Sequence, residues 1–222
     1  MAVAGCAGPL STLDPAGPQA DAIARLGWLM LAMSVGVVAL VVGLLGWALW
    51  RGRRPRPEAP SPLASTRLVV AGGIVLPLLV LPIVWLLSLQ AMGGLAAPPG
   101  GAAVEVEVTG RQFGYEVRYP GHEAALLDEV RIPAGAPVLL RLASVDVIHS
   151  FWVPRLGGKM DLVPGQLNEM WLQADEPGTY EGRCAEFCGI GHTAMRIVVV
   201  AMEPADFEAW LAAADIAAGA DR

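Results

Sequence analysis

Cysteine and histidine are scarce in this chain of 222 residues, with three of each. No Cys-x-x-Cys-His motif occurs, so we expect no covalently attached haem in this sequence. Charged residues make up only 16% of the chain, and their formal net charge is −6. An acidic balance of this kind gives no indication of nucleic-acid binding, and we expect no nucleic-acid partner.

Charged residues are missing altogether from two long apolar stretches, residues 28–50 and residues 68–89. Each stretch exceeds the roughly 20 residues that a helix needs to cross the hydrocarbon core of a bilayer. We therefore predict two transmembrane helices, one at residues 26–50 and one at residues 68–92.

The connection between these helices, residues 51–67, contains five arginines and a single glutamate. The positive-inside rule places such a short basic loop in the cytoplasm. The N-terminal segment, residues 1–25, and everything after the second helix are then expected on the outer face of the membrane.

The N-terminal segment contains Val-Ala-Gly-Cys at residues 3–6, which is similar to a bacterial lipobox, and Cys6 is therefore a candidate for lipidation. Only five residues precede Cys6, fewer than a signal peptide needs. Either the natural chain begins upstream of the given start, which we favour, or Cys6 is incidental.

The part of the chain after the second helix is predicted to be an all-β domain. A linker rich in glycine and proline, residues 93–102, leads into residues 103–203, where short runs of alternating apolar and polar residues are separated by Pro-Gly turns. This pattern is typical of a sandwich or Greek-key barrel. Residues 204–222 are predicted to form a short C-terminal helix and tail, because Pro204 suits a first helical turn.

The predicted β-domain is acidic. From residue 91 onward the chain contains 9 lysines and arginines and 18 aspartates and glutamates. An acidic surface attracts a basic partner and raises the rate of encounter, but it also serves solubility alone, and charge does not separate the two interpretations.

The side chains that bind soft metals are concentrated in residues 184–195, which contain Cys184, Cys188, His192 and Met195, with His149 upstream. Sulfur and imidazole ligands favour copper over hard cations. A mononuclear blue-copper site needs only one cysteine, so the second cysteine indicates two bridged copper ions that share one electron. We interpret the cluster as an electron-transfer site.

Three other interpretations of the cluster were weighed. A disulfide between Cys184 and Cys188 suits an oxidising compartment but needs neither His192 nor Met195. Structural zinc has no use for the methionine, and its familiar spacing puts two residues between the cysteines. A catalytic Cys–His pair fits poorly with two cysteines and a methionine. The third histidine, His122, follows a Pro-Gly turn and is expected to be a solvated loop residue.

Three motifs resemble subunit II of cytochrome c oxidase: DVIHSF at residues 146–151, LGGKMDLVPGQLN at residues 156–168 and GTYEGRCAEFCGIGHTAM at residues 178–195. The resemblance extends over both apolar stretches and essentially the whole outer domain. It implies a fold of two transmembrane helices followed by an all-β cupredoxin-like Greek-key barrel that carries a dinuclear copper A centre.

The same resemblance implies a role for each ligand. Cys184 and Cys188 would bridge the two copper ions, and His149 and His192 would be terminal ligands. Met195 would be a weak ligand.

Four further residues are given roles by the resemblance alone. Glu186 would offer its carbonyl oxygen to one copper, and its side chain to a magnesium ion at the boundary with subunit I. Asp146 would help to dock cytochrome c. Phe113 and Tyr115 stand in a segment where the family has Gln-Trp-x-Trp, so both are candidates for electron entry and docking, with Phe113 in the place of the entry aromatic.

The implied function is that of an electron-transfer subunit in a proton-translocating respiratory terminal oxidase of the bacterial inner membrane. It would accept electrons from cytochrome c or a similar basic donor and pass them to haem in subunit I, where oxygen is reduced to water, with subunit III as a further partner. A copper A subunit of a nitric oxide reductase is the alternative. A copper-delivery module is disfavoured by the two spans and the acidic domain. A quinol-oxidase subunit is disfavoured because those relatives lose the copper ligands.

Overall fold

The computed structural model describes residues 7–53, 62–95, 97–98 and 100–220. Cys6, the candidate for lipidation, lies outside the described residues. The chain forms two compact units, one consisting of Arg25–Met92 and the other of Met1–Ala24 together with Gly93–Arg222.

The first unit is helical. Helix α1 spans Pro18–Gly52, helix α2 spans Pro62–Val70, a π-helical turn covers Ala71–Val75, and helix α3 spans Leu76–Leu95. Two continuous helical stretches, Pro18–Gly52 and Thr66–Gly94, are long and apolar enough to cross a membrane. Both extend beyond the expected ranges of 26–50 and 68–92.

The π-helical turn precedes a proline. Pro77 has no N–H to donate to the carbonyl of residue 73, so the regular ladder of α-helical hydrogen bonds is interrupted there. The chain adapts with a wider turn in which the Leu76 N–H donates to the Ala71 carbonyl. This adaptation shows how the second apolar stretch tolerates an internal proline without ending.

The second unit contains the β-domain, which confirms the predicted all-β class. Within the described residues it has ten strands: β1 Val104–Arg111, β2 Gly114–Arg118, β3 Ala125–Leu127, β4 Glu129–Pro133, β5 Val138–Ser144, β6 His149–Trp152, β7 Met160–Leu162, β8 Asn168–Leu172, β9 Gly178–Cys184 and β10 Arg196–Met202. They form two five-stranded sheets, ordered β3-β2-β1-β5-β8 and β4-β10-β9-β6-β7. Two pairs, β1 with β5 and β4 with β10, are parallel, and the other pairs are antiparallel.

One face of each sheet is buried, because the apolar residues alternate along the strands as period-two patterning requires. Both sheets contribute to a single core cluster, which includes Val106, Val108, Leu140 and Leu142 from the first sheet and Val130, Ile132, Ile197 and Val199 from the second. The domain is therefore a two-layer sandwich whose loops are anchored at both ends in rigid strands.

The segment before α1 belongs to the same unit as the β-domain. The Ala16 N–H donates to the Arg155 carbonyl (2.7 Å), and the Asp175 N–H donates to the Ala16 carbonyl (2.9 Å). Arg155 also forms an ion pair with Asp14 at 3.1 Å. These contacts agree with the predicted topology, in which the N-terminal segment and the β-domain share one side of the membrane.

Helix α4, Pro204–Ala220, packs its aromatic residues on the β-domain. The Tyr119 and Trp210 rings meet edge to face with 5.0 Å between their centroids. His122 Nδ1 lies 2.8 Å from an Asp215 carboxylate oxygen on this helix. The prediction that His122 is a solvated loop residue is therefore incomplete, because its partly exposed ring attaches the loop to α4.

Strand β9 offers a test of its tight packing against the neighbouring strands β10 and β6. A Cβ at Gly182 would lie 2.6 Å from both Ile197 Cγ2 and the Trp152 carbonyl oxygen. Such overpacking typically costs about 1–3 kcal/mol, so Gly182→Ala should lower the thermal unfolding midpoint of the β-domain, followed by circular dichroism of the full chain in detergent. The matched control is Gly178→Ala in the same strand, where the new Cβ would meet nothing closer than 3.6 Å. Equal midpoints for the two variants would contradict this account of the packing.

Candidate metal centre

The predicted metal ligands converge where two neighbouring strands meet the loop after β9. His149 is the first residue of β6 and Cys184 is the last residue of β9, and these strands pair through Phe151 and Cys184. His149, Cys184 and Cys188 are all buried, and each has a ligand atom within 4.8 Å of the others.

The two cysteines are free thiols. Their sulfur atoms lie 3.8 Å apart, whereas a disulfide bond is about 2.05 Å long. The disulfide interpretation therefore does not describe this structure, and both sulfurs face a common point with the His149 ring.

The loop that follows Cys184 brings in the remaining donors. Cys188 Sγ lies 3.8 Å from His192 Nδ1 and 3.8 Å from Met195 Sδ. Cys184 Sγ lies 3.2 Å from the Glu186 carbonyl oxygen. All six groups that the sequence analysis assigned to copper are thus gathered in one place.

The backbone closes this loop on itself. The His192 N–H donates to the Gly189 carbonyl (3.1 Å), and residues His192–Ala194 form a short 3-10 turn. The Cys184 N–H then donates to the Met195 carbonyl (3.2 Å), which joins the two ends of the loop. The ligand-bearing segment is therefore held in place by its own hydrogen bonds.

The His149 ring has one satisfied and one unsatisfied nitrogen. Its Nε2–H donates to an Asp146 carboxylate oxygen at 2.8 Å. Its Nδ1 is buried and has no hydrogen-bond partner within the described part of the chain. Leaving a buried polar atom unpaired typically costs about 1–3 kcal/mol, and a metal ion beside the two thiols would satisfy it. The residues present therefore fit a metal bound by soft ligands.

Asp146 is oriented toward this ring. Its carboxylate also accepts hydrogen bonds from the backbone N–H groups of Gln112 (2.8 Å) and Val147 (2.6 Å). Partial burial acts to raise the pKa of Asp146, but the hydrogen bonds from His149, Gln112 and Val147 outweigh it and lower the pKa to about 2. Sequence analysis missed this contact with His149, for which the Asp-x-x-His spacing was the available signal.

Phe113 and Tyr115 take different positions, and the expectation for Tyr115 is corrected. Phe113 is 41% exposed, and its ring covers the ligand loop so closely that a Cβ at Gly191 would lie 2.5 Å from it. Tyr115 points inward from β2 and is fully buried, so it cannot belong to a docking surface. Its hydroxyl donates to the Ser150 carbonyl (2.8 Å). Burial, with a contribution from Cys184, raises the pKa of Tyr115 well above its usual value.

The Glu186 side chain is partly exposed and pairs with a lysine. Its carboxylate lies 3.1 Å from Lys159 Nζ, which also lies 3.4 Å from Asp161. The Lys159 ammonium thus occupies one side of the carboxylate that was expected to bind magnesium. A magnesium ion bound at that oxygen would have to displace the ammonium group. Lys159 was not identified as part of the site, because nothing in its local sequence pairs it with a residue 27 positions later.

Comparison with known proteins identifies relatives of the β-domain and of the whole chain. The family model described as cytochrome c oxidase subunit II, periplasmic domain, matches residues 118–202. The chain is 35% identical over 217 residues to cytochrome c oxidase subunit 2 of Alkalihalophilus pseudofirmus, covering 93% of this chain and 63% of that relative. It is 30% identical over 219 residues to a probable cytochrome c oxidase subunit 2 of Rickettsia felis, covering 89% of this chain and 69% of the relative.

A relative that is named as a quinol oxidase subunit is similar to this chain to nearly the same extent. The quinol oxidase subunit 2 of Bacillus cereus is 32% identical over 217 residues, covering 93% of this chain and 74% of the relative. Among solved structures, the periplasmic domain of subunit II of cytochrome oxidase from Bradyrhizobium japonicum is 29% identical and covers 51% of this chain and 94% of its own, with a TM-score of 0.49.

The contact between Asp146 and His149 predicts a loss of metal affinity. Removing a carboxylate that orients a ligating histidine typically costs about 10–100-fold in affinity, so Asp146→Ala should weaken copper binding by that factor. The measurement is competition of the full chain in detergent with a chelator of known affinity. Asp175→Ala, an exposed acid outside the ligand segments, is the charge-matched control. Equal affinities for the two variants would show that Asp146 does not orient the ligand.

Proposed function

Because this chain belongs to the cytochrome c oxidase subunit II family, we propose that it holds a dinuclear copper A centre and serves as the electron-transfer subunit of a respiratory terminal oxidase. It accepts electrons from cytochrome c or a similar basic donor and passes them to haem in subunit I, which reduces oxygen to water. The observation that carries the proposal is the unpaired, buried Nδ1 of His149 beside two free thiols 3.8 Å apart.

The donor set supports copper over zinc. Two thiolates and two imidazoles alone suit either metal, but the buried Met195 sulfur beside Cys188 is a soft donor that zinc does not use. Bound there, a pair of copper ions supplies a one-electron carrier whose electron is shared between two nuclei.

The protein residues keep the site rigid and dry. His149, Cys184 and Cys188 are buried, and Asp146 fixes the orientation of one imidazole. A loop held at both ends changes its geometry little when the charge of the site changes, which favours rapid electron transfer. Oxygen chemistry then belongs to the haem-bearing partner and not to this chain.

The surface charge supports a basic electron donor. Several arginines of the β-domain are already paired with acids of the same domain, as in Arg131–Glu129, Arg141–Glu105 and Arg183–Glu181. Because acids outnumber bases two to one after residue 91, an acidic excess remains for a partner. Phe113 is exposed directly above the ligand loop and is the proposed contact for electron uptake.

The membrane arrangement follows from the charge of the loop. The arginine-rich residues 51–67 lie in the cytoplasm of a bacterial cell, and the copper domain lies on the outer face of the inner membrane. Subunit I, and subunit III beside it, complete a proton-translocating complex. A magnesium ion at Glu186 would lie at the boundary with subunit I, where Lys159 now contacts the carboxylate.

A nitric oxide reductase with the same copper module is the second candidate, because the reaction of the acceptor takes place in the partner subunit. A quinol oxidase is disfavoured because this chain retains a complete set of soft metal ligands, which uptake of electrons from a quinol does not need. Purifying the complex and measuring whether oxygen or nitric oxide is consumed would separate these functions.

The copper content tests the proposal directly. The full chain in detergent should bind two copper ions, be purple and show a mixed-valence paramagnetic resonance signal from one electron shared over two nuclei. Cys188→Ser should abolish this signal, because a single thiolate cannot complete the bridged pair. Cys6→Ser is the control that removes a cysteine and keeps the signal. A colourless chain holding one zinc ion would contradict the proposal.

Electron uptake tests the role of Phe113. Phe113→Ala should slow reduction of the centre by reduced cytochrome c about tenfold, equivalent to ~1.4 kcal/mol in the barrier, while the copper spectrum stays unchanged. The measurement is stopped-flow reduction at several ionic strengths. Ile216→Ala, which removes a more exposed apolar side chain from α4, is the control. An unchanged rate for Phe113→Ala would place electron uptake elsewhere on the surface.

A further inference from the structure

Gln112 connects the turn between β1 and β2 to the candidate metal centre. Its side-chain Nε2–H donates to the Cys188 carbonyl at 2.5 Å. Its backbone N–H donates to an Asp146 carboxylate oxygen at 2.8 Å. The other oxygen of Asp146 accepts from His149 Nε2 at 2.8 Å. One residue is therefore linked by hydrogen bonds to both segments that carry copper ligands.

The packing around this amide is specific. A Cβ at Gly189 would lie 3.0 Å from Gln112 Nε2, and Gly189 has a φ of 130°, a conformation that glycine adopts readily. The absence of a side chain at this position thus leaves room for the Gln112 amide to reach the backbone of the ligand loop. The neighbouring Phe113 ring covers the same loop at Gly191.

We propose that Gln112 is a positioning residue that holds the Cys188 segment against the His149 segment, so that the ligands are spaced before metal binds. The inference rests on the proposed copper function and adds a residue to it. Hydrogen bonds from neighbouring residues to the ligand-bearing groups orient the metal ligands and tune the metal that they bind. Within the described residues Gln112 forms no hydrogen bond with a ligand side chain, and its effect is exerted through the Cys188 carbonyl and the Asp146 carboxylate.

The two hydrogen bonds can be separated by substitution. Every replacement other than proline keeps the backbone N–H that donates to the Asp146 carboxylate. A side-chain variant therefore removes only the hydrogen bond to the Cys188 carbonyl. Gln112→Met preserves the length of the side chain and removes the donor. Gln112→Lys restores a donor on a longer side chain, and Gln166→Met makes the matched change in an exposed turn.

The first experiment measures copper in the full chain in detergent. Gln112→Met should release copper to a chelator about tenfold faster than the parent chain. It should also alter the hyperfine pattern of the paramagnetic resonance signal, with the thermal unfolding midpoint unchanged. Gln112→Lys should recover part of both properties, and Gln166→Met should match the parent. A release rate and spectrum for Gln112→Met equal to those of the parent, or equal losses in the methionine and lysine variants, would overturn the inference.

The second experiment needs no copper and separates this inference from the proposed function. In the metal-free chain, amide hydrogens of residues 188–195 should exchange faster in Gln112→Met than in the parent or in Gln166→Met. Equal exchange would overturn the positioning role even if the parent binds two copper ions. Faster exchange in a chain that binds no copper pair would support the positioning role and contradict the proposed function.

Discussion

A buried histidine nitrogen without a partner is the constraint on which the interpretation of this structure depends. Asp146 holds Nε2 of His149, so the ring cannot turn to satisfy its other nitrogen. Proteins rarely leave such an atom unpaired, because water is lost and nothing replaces it. The sulfurs of Cys184 and Cys188 lie beside it, so a soft metal ion bound there would satisfy the nitrogen and both thiols together.

The fold explains why these groups meet. Strands β6 and β9 are neighbours in one sheet, so the first residue of one strand and the last residue of the other lie side by side. The loop after β9 then returns to β10 through a turn closed by its own hydrogen bonds. A rigid sandwich thus determines where the ligands are, and the loop determines how they face one another. The same loop exposes Phe187 and Ile190, which places large apolar side chains at the surface beside the ligands.

Contacts between distant parts of the chain account for most of what sequence analysis missed. Lys159 contacts Glu186 and His122 contacts α4, whereas Asp146 contacts His149 only three residues away. Tyr115 was named with Phe113 for electron entry and docking because its segment resembles the family's aromatic motif, yet strand alternation turns it into the core. The alternation of apolar and polar residues was visible in the sequence. Which face of the sheet is buried, however, depends on how the second sheet packs against it.

The sequence by itself determined the two apolar helices, the all-β class of the β-domain and the set of soft-donor residues that the structure brings together. Each of these depends on local chemistry: a stretch without charge cannot remain in water, alternation has a fixed period, and thiolate with imidazole selects a soft metal. Only the tertiary structure decided which nitrogen of His149 is free, that the two thiols are separate, and that Gln112 reaches the backbone of Cys188. The first two outcomes depend on how the backbone orients residues three and four positions apart, and the third depends on a contact between residues 76 positions apart. The packed sheets hold the loops that set all three distances.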